Sequence, residues 1–344
     1  ERLRDSLRSF PTTLVMVERP AEHTRPTFIY NRGEYLQPGE RVEPGTLHVL
    51  NQFPPDAPKN RLGLAKWLVA RDNPLTARVT VNRYWAAFFG RGIVRTIDDF
   101  GYQGESPSHP ALLDWLAVEF MERGWSVKAL HKLIVTSATY RQASPVDQAL
   151  LARDAQNILL ARGPRFRVEA EMIRDSMLSA AGLLSAKIGG PSVFPPQPAN
   201  ITTEGAFGGL DWKVSQGEDR YRRGLYTFMK RTAPYAMTNA FDAPSGDFCI
   251  AQREISNSPL QALMMLNDAV VIEAAQGLAK VVIGHSAEMP SRVSELLRRC
   301  LARQPSADEI TRLSAFVARQ QARFVAKELD PAALAGKGDS DQAE

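Results

Sequence analysis

Cysteine is nearly absent from this chain. Two residues in 344, Cys249 and Cys300, cannot build a disulfide framework or a four-ligand zinc site. They read as two buried apolar thiols rather than as a bridge. No apolar run reaches the roughly 18 residues that a bilayer-spanning helix needs. An initiator Met and a signal-peptide hydrophobic region are both missing from Glu1-Arg2-Leu3-Arg4-Asp5-Ser6-Leu7. The chain is therefore expected to be a piece of a longer protein whose cellular address lies upstream. Cys-x-x-Cys-His for haem, a phosphate-binding Gly loop with Lys-Ser/Thr, a Gly-x-Ser-x-Gly elbow and His-Glu-x-x-His are all lacking. The five histidines, His23, His48, His109, His131 and His285, stand apart, none with a second at i+3 or i+4. No metal site is legible, and only the fold could assemble one. Strong charge of either sign is absent too. Forty-two basic and 38 acidic residues leave +4 and a pI near 9.1, too mild an excess to argue for nucleic acid.

What is present is ordinary globular composition, 44% hydrophobic and 23% charged, in a length that suits two domains or one large one. The pattern predicts a mainly α protein, a helical core with a small N-terminal β-ribbon and one or two further short strands. Residues 1–60 read as the ribbon and a linker. Leu14-Val15-Met16-Val17 and Thr27-Phe28-Ile29-Tyr30 are β-prone runs parted by Pro20 and Pro26, and Asn51 to Asn60 is Pro-rich and extended. Residues 61–144 form a helical block. Its first helix, Arg61 to Arg71, sets Leu62, Ala65, Leu68 and Val69 on one face. Leu75 to Phe89 follows, ended by Gly90. Pro110 to Arg123 starts at Ser108-His109-Pro110, and the next helix is capped by Ser126 with a buried stripe of Leu130, Leu133, Ile134 and Ala138.

Residues 145–328 read as a second, mostly helical half packed on the first. A long helix spans about Val168 to Leu184, followed by a Pro/Gly-rich excursion from Gly189 to Gly209. Gly224 to Met229 reads as a strand. Ser258-Pro259 opens a helix with a broad apolar surface (Leu260, Leu263, Met264, Leu266) running past Asn267-Asp268 towards Val282. Ser291 and Ser306 cap the last two helices, and Ser306 with Glu309 has capping-box spacing. Residues 329–344 are expected to be a disordered tail.

Two groups of polar residues could carry chemistry. Asp98-Asp99 sits in a Gly-rich loop, where a carboxylate can be presented as acid, base or cation ligand; its local alternative is a turn cap or a pair with Arg83 or Arg95. His109 is a base within reach of that loop, or simply a helix-start residue. Asn82-Arg83 lies in an otherwise apolar helix, either binding an anion through the Arg fork or pairing with Asp98, Asp99 or Asp114. Arg174 and Asp175 complete this candidate polar cluster. The second group, Arg220, Arg222, Arg223, Lys230 and Arg231, is the densest basic segment, with Tyr221 and Tyr226 interleaved. It suits an anion or a nucleic-acid strand, or a structural Arg network.

An ordered set of strings resembles a known module. It includes Arg61-Leu-Gly-Leu-Ala-Lys-Trp-Leu68, Asn73-Pro-Leu-Thr-Ala-Arg-Val79, Val81-Asn-Arg-Tyr-Trp85, Thr96-Ile-Asp-Asp-Phe-Gly101 and Ser137-Ala-Thr-Tyr-Arg-Gln142. Farther on come Ala170-Glu-Met-Ile-Arg-Asp175, Gly189-Gly-Pro-Ser-Val193, Arg220-Tyr-Arg-Arg-Gly-Leu-Tyr226, Phe241-Asp-Ala-Pro244 and Ser258-Pro-Leu-Gln-Ala-Leu263. Up to about Gln321 the chain is similar to the planctomycete-specific C-terminal domain family of unknown function, the PSD module. One departure is Ser245-Gly246-Asp247, where relatives commonly carry a basic–acidic pair before the cysteine.

The resemblance implies the end of a large protein of the cell envelope, or a secreted one. A second planctomycete-specific domain would lie upstream, often behind a c-type-cytochrome-like domain. No cofactor is expected in this chain, and haem c would belong to the upstream part. The family carries no settled catalytic residues. Three readings follow: a binding or assembly module whose partners are upstream domains of the same protein; an extracellular hydrolase or oxidoreductase acting on polysaccharide; and, weakest, a nucleic-acid binder.

Overall fold

The structure, a computed structural model, describes residues 13–198, 212–231 and 233–330. Among these it is mainly α, with eleven helices and one two-stranded antiparallel ribbon. Two compact units emerge. One runs up to Arg95 and resumes over Phe100–Arg141; the other consists of Thr96–Asp99 and the chain from Gln142 onward.

In the first unit, β1 (Thr27–Tyr30) pairs with β2 (Pro38–Val42), Thr27 opposite Val42 and Phe28 opposite Arg41. The strand expected over Leu14–Val17 does not form; those residues are exposed and irregular. β-prone side chains make a strand only where a neighbour completes the ladder, and Pro20 and Pro26 remove donors nearby. The segment 51–60, expected to be a linker, is anchored at both ends. Trp67 donates its indole N–H to the Asn51 carbonyl at 2.9 Å, and Asn60 caps the first helix through the Leu62 and Gly63 N–H groups.

That helix, α1 (Arg61–Leu68), is shorter than expected and turned over. Trp67 and Gly63 are buried, whereas Leu62, Leu68 and Val69 are exposed. Gly63 decides this, because a Cβ there would lie 1.9 Å from the Pro58 carbonyl oxygen, so the chain crosses that face. Next comes α2 (Thr76–Phe89), entered through Asn73, whose side-chain oxygen accepts from the Leu75 and Thr76 N–H groups, and closed by Gly90 at φ +72°. It packs on α3 (Pro110–Glu122), which packs on α4 (Val127–Thr136). Val81, Trp85, Phe89, Leu113, Leu116 and Phe120 are buried here, with Trp85 and Phe89 stacked 4.2 Å apart. In α4, Leu130 and Ile134 are buried, but Leu133 is half-buried and Ala138 lies exposed beyond the helix end.

The second unit holds α5 (Gln148–Arg153), α6 (Ala170–Ala180) and α7 (Ala236–Ala240), then α8 (Pro259–Asn267), α9 (Ala269–His285), α10 (Met289–Leu301) and α11 (Ala307–Val325). Helix α6 stops short of Leu184 because Gly182 takes φ +71° and the Leu183 N–H returns to the Leu178 carbonyl. The helix expected from Ser258 towards Val282 is two helices. Asp268 ends α8 and caps α9 through the Val270 N–H, and the axes bend by 53°. Helix α10 has Glu288 at its N-cap position and Pro290 in its first turn, so Ser291 is not its cap. Residues 224–229 are not a strand: Gly224–Tyr226 is a 3-10 turn, and Thr227 makes an isolated parallel bridge with Val193. Two small cores lie here, Ala170, Tyr235, Met237 and Phe241 in one and Leu178, Ala181, Val270 and Ala274 in the other. Cys249 and Cys300 are free and exposed, not buried. The expected disordered tail lies, from residue 331, outside the described residues, as do 199–209 of the Pro/Gly-rich excursion.

Candidate functional site

In the first unit, Asn82 is fully buried and works as a clamp. Its Nδ2 donates to the Val94 carbonyl and its Oδ1 accepts from the Val94 N–H, both at 2.9 Å. A side-chain amide thus imitates a strand edge and holds the turn after α2. Gly92 is required by the same contact, since a Cβ would lie 2.7 Å from Asn82 Nδ2. Arg83, next along α2, is exposed. Asp114, one of its expected partners, is bonded by Arg78 at 2.7 Å. His109 stands at the start of α3 with Nδ1 3.0 Å from the Ser108 hydroxyl. Arg95 pairs with Glu105 at 2.6 Å.

The Asp98-Asp99 segment belongs to the second unit. Asp98 is exposed; Asp99 is half-buried, and its main chain closes a turn in which the Thr96 hydroxyl donates to the Asp99 carbonyl at 2.8 Å.

The second unit concentrates its polar groups around two buried arginines. Arg174 on α6 is 1% exposed and donates to the carbonyls of Arg222 at 2.6 Å and Arg220 at 3.0 Å. Burial pushes its pKa below the usual arginine value, opposed by Tyr235, Asp175 and Glu273. Arg222 is 0% exposed and donates to the carbonyls of Pro191 (2.9 Å), Lys187 (3.4 Å) and Gly189, its guanidinium stacked 3.7 Å from the Tyr226 ring centroid. The Tyr226 hydroxyl accepts from the Gly189 N–H at 2.8 Å. Each guanidinium keeps an Nε without a partner, a cost that the carbonyl bonds and stacking must exceed.

Around this centre, Asp175 accepts from the Gly224 N–H at 2.7 Å, with Arg223 3.7 Å away. Burial raises its pKa, and the Gly224 bond and both arginines pull it down only in part. Arg220 and the Tyr221 hydroxyl both bond Glu273, at 2.9 and 2.7 Å. Burial, then the Glu273 bond, lifts the Tyr221 pKa. Lys230 Nζ is buried without a hydrogen-bond partner, and Arg231 lies 3.5 Å from Asp247.

Several partners escaped the sequence reading. Glu171 takes a fork from Arg253, at 2.7 and 3.2 Å. Burial alone would raise the Glu171 pKa, but the Arg253 bonds outweigh it and the value falls below normal. Asp242, at φ +64°, gathers Arg167, Ser256 and Gln261. Glu273 had a legible signal: it is the single acid in Ala269–His285, and an acid on an apolar helix needs a cation. Glu171 and Asp242 had none, because their partners lie 82 and 14 residues away.

Chemically, this arrangement positions backbone. The guanidinium donors of Arg174 and Arg222 hold two loop segments together, and the carboxylates of Asp175, Glu171 and Glu273 hold the turns beside them. One surface groove of about 480 Å³ lies at the end of α10, lined by Glu295, Arg298, Arg299, Ala302, Arg303 and Gln304. Its arginines are paired, Arg299 with Glu295 at 2.8 Å and Arg303 with Glu309 at 2.6 Å. Among the described residues, no three His, Cys, Asp or Glu side chains converge as a metal site.

A family model described as PSD1, protein of unknown function (DUF1553), matches residues 60–317. No curated protein and no solved structure matches the chain.

Proposed function

The chain belongs to the PSD1 family of proteins of unknown function, and from that premise we propose a binding and assembly module in a larger cell-envelope protein. Its partner in this reading is a haem-bearing domain upstream in the same protein, with a second planctomycete-specific domain between the two. The observation that carries the proposal is the use made of Arg174 and Arg222. Both are buried, and their donors go to main-chain carbonyls of the same unit. Charged groups spent on holding loops in place favour a rigid platform for contacts over a reaction centre. Titrating the chain with the upstream haem-bearing part, by calorimetry and by the haem absorption spectrum, should give saturable binding. Heat and spectrum both unchanged would end this reading.

The rival is an extracellular hydrolase or oxidoreductase acting on polysaccharide. The exposure of Asp98 is what favours it. Its test is reducing-end release, or oxidation, of envelope polysaccharide by the chain, abolished in Asp98→Asn. The nucleic-acid reading has less support. Arg222 is enclosed and Arg220 is bonded to Glu273, so a strand would have to break those bonds to reach them.

A further inference from the structure

Helices α8 and α9 leave a long series of apolar side chains uncovered. Helix α8 carries no charged residue, and Leu260, Leu263 and Leu266 are 61%, 58% and 72% exposed, while Gln261 and Met264 face inward. In α9, Val270, Ala274 and Val282 are buried, and Ile272, Ala275, Ala279 and Ile283 are exposed at helical spacing. The one acid of α9, Glu273, is held by Arg220 and Tyr221. Soluble proteins seldom leave so many large apolar side chains in water on consecutive helices. No single helix is long and apolar enough to cross a membrane, and this pair is bent by 53° at a buried Asp268. With one side packed into the unit, the geometry suits lying along a surface rather than spanning it.

The charge beside this face identifies the surface. Helix α10 packs along α9, and α11 on α10. Together α10 and α11 carry six basic residues, Arg292, Arg298, Arg299, Arg312, Arg319 and Arg323, against three acidic, Glu295, Asp308 and Glu309. Arg319, exposed near the end of α11, has no ion pair among the described residues. An apolar helix face with a net basic helix packed alongside matches acyl chains below and anionic headgroups at their edge. A second copy of the chain would instead bring two cationic flanks towards each other. We propose that α8 and α9 seat this domain on an anionic lipid bilayer, with α10 and α11 supplying the electrostatic attraction. This proposal is independent of the assembly reading above.

The experiment is co-sedimentation of the chain with vesicles of two parts phosphatidylcholine to one part phosphatidylglycerol, against vesicles of phosphatidylcholine alone. Binding is expected to the mixed vesicles and to weaken as salt rises. The double substitution Leu263→Gln, Leu266→Gln should weaken it by about tenfold or more with the melting temperature unchanged. Arg319→Gln with Lys327→Gln should weaken it by a few-fold. Should the leucine pair destabilise the fold, Leu260→Gln alone carries the same test. No binding to mixed vesicles overturns the proposal, and so does equal binding by the leucine variants. A concentration-dependent dimer in sedimentation velocity, dissolved by those variants while vesicle binding is absent, overturns it and assigns the face to a second copy.

Discussion

Arg222 satisfies three main-chain carbonyls and stacks on Tyr226, so its removal strips several partners at once. Arg222→Met should cost on the order of 3 kcal/mol, a fall of roughly 6–12 °C in melting temperature, because the carbonyls of 187–191 stay buried without donors. Arg222→Lys should recover little of it, since an ammonium cannot reproduce the planar fork. Asn82→Ala should cost about 2–3 kcal/mol in denaturant unfolding, with both Val94 groups left unpaired. Asp242 supplies a pH dependence. The Ser256 N–H, then its hydroxyl, hold the carboxyl below its ordinary value of 3.8, and Arg167 adds to this. A folded pKa below the unfolded one stabilises the fold above about pH 3.8, and that contribution is lost as pH falls through the lower folded value. Asp242→Asn should therefore flatten the acid limb of a stability-versus-pH curve. Of these residues, Asn82 was legible as a polar group in an apolar helix that needed a partner. Which partner it took was not, because Val94 reaches it only after the chain turns at Gly90.

At the scale of the element, helix ends were the most legible feature. Gly90 after α2, Pro110 in α3, Ser126 before α4 and the Ser258 and Ser306 capping boxes all stand where local chemistry places them. A cap works within one turn of its own helix, so no distant residue is needed to decide it. Ser306→Ala should cost about 1 kcal/mol and fray the start of α11, read as lost helical circular dichroism on heating. In the same box, the Arg303 bonds and then the Ser306 N–H hold Glu309 at about 2, against 4.5 when free. That stabilisation is present above pH 4.5 and disappears as pH falls towards 2, so α11 should loosen over that acid range. Which face a helix buries was less legible. The eight residues of α1 offered Leu62 and Leu68 as well as Trp67, and the crossing of Pro58 over Gly63 chose Trp67. The break at Asp268 was equally hidden, since an apolar run on both sides reads as one helix until the bend is seen.

At the scale of the whole molecule, the assembly reading predicts that Asp98→Asn with Asp99→Asn leaves binding to the upstream haem-bearing part intact. Loss of that binding without a fall in melting temperature would move Asp98 and Asp99 into a functional surface. By itself the sequence determined what acts over short separations: the mainly helical class, a small N-terminal ribbon with Thr27–Tyr30 as one strand, most helix ends and the family to which residues 60–317 belong. Only the tertiary structure decided what the buried charges hold. Arg174 meets carbonyls 46 and 48 residues away, and Glu273 meets Arg220 at a separation of 53. Caps and turns gain their energy from neighbours already in place along the chain. A buried guanidinium pays its desolvation first and recovers it only where the closed fold presents carbonyls, so its partner is a property of the packing.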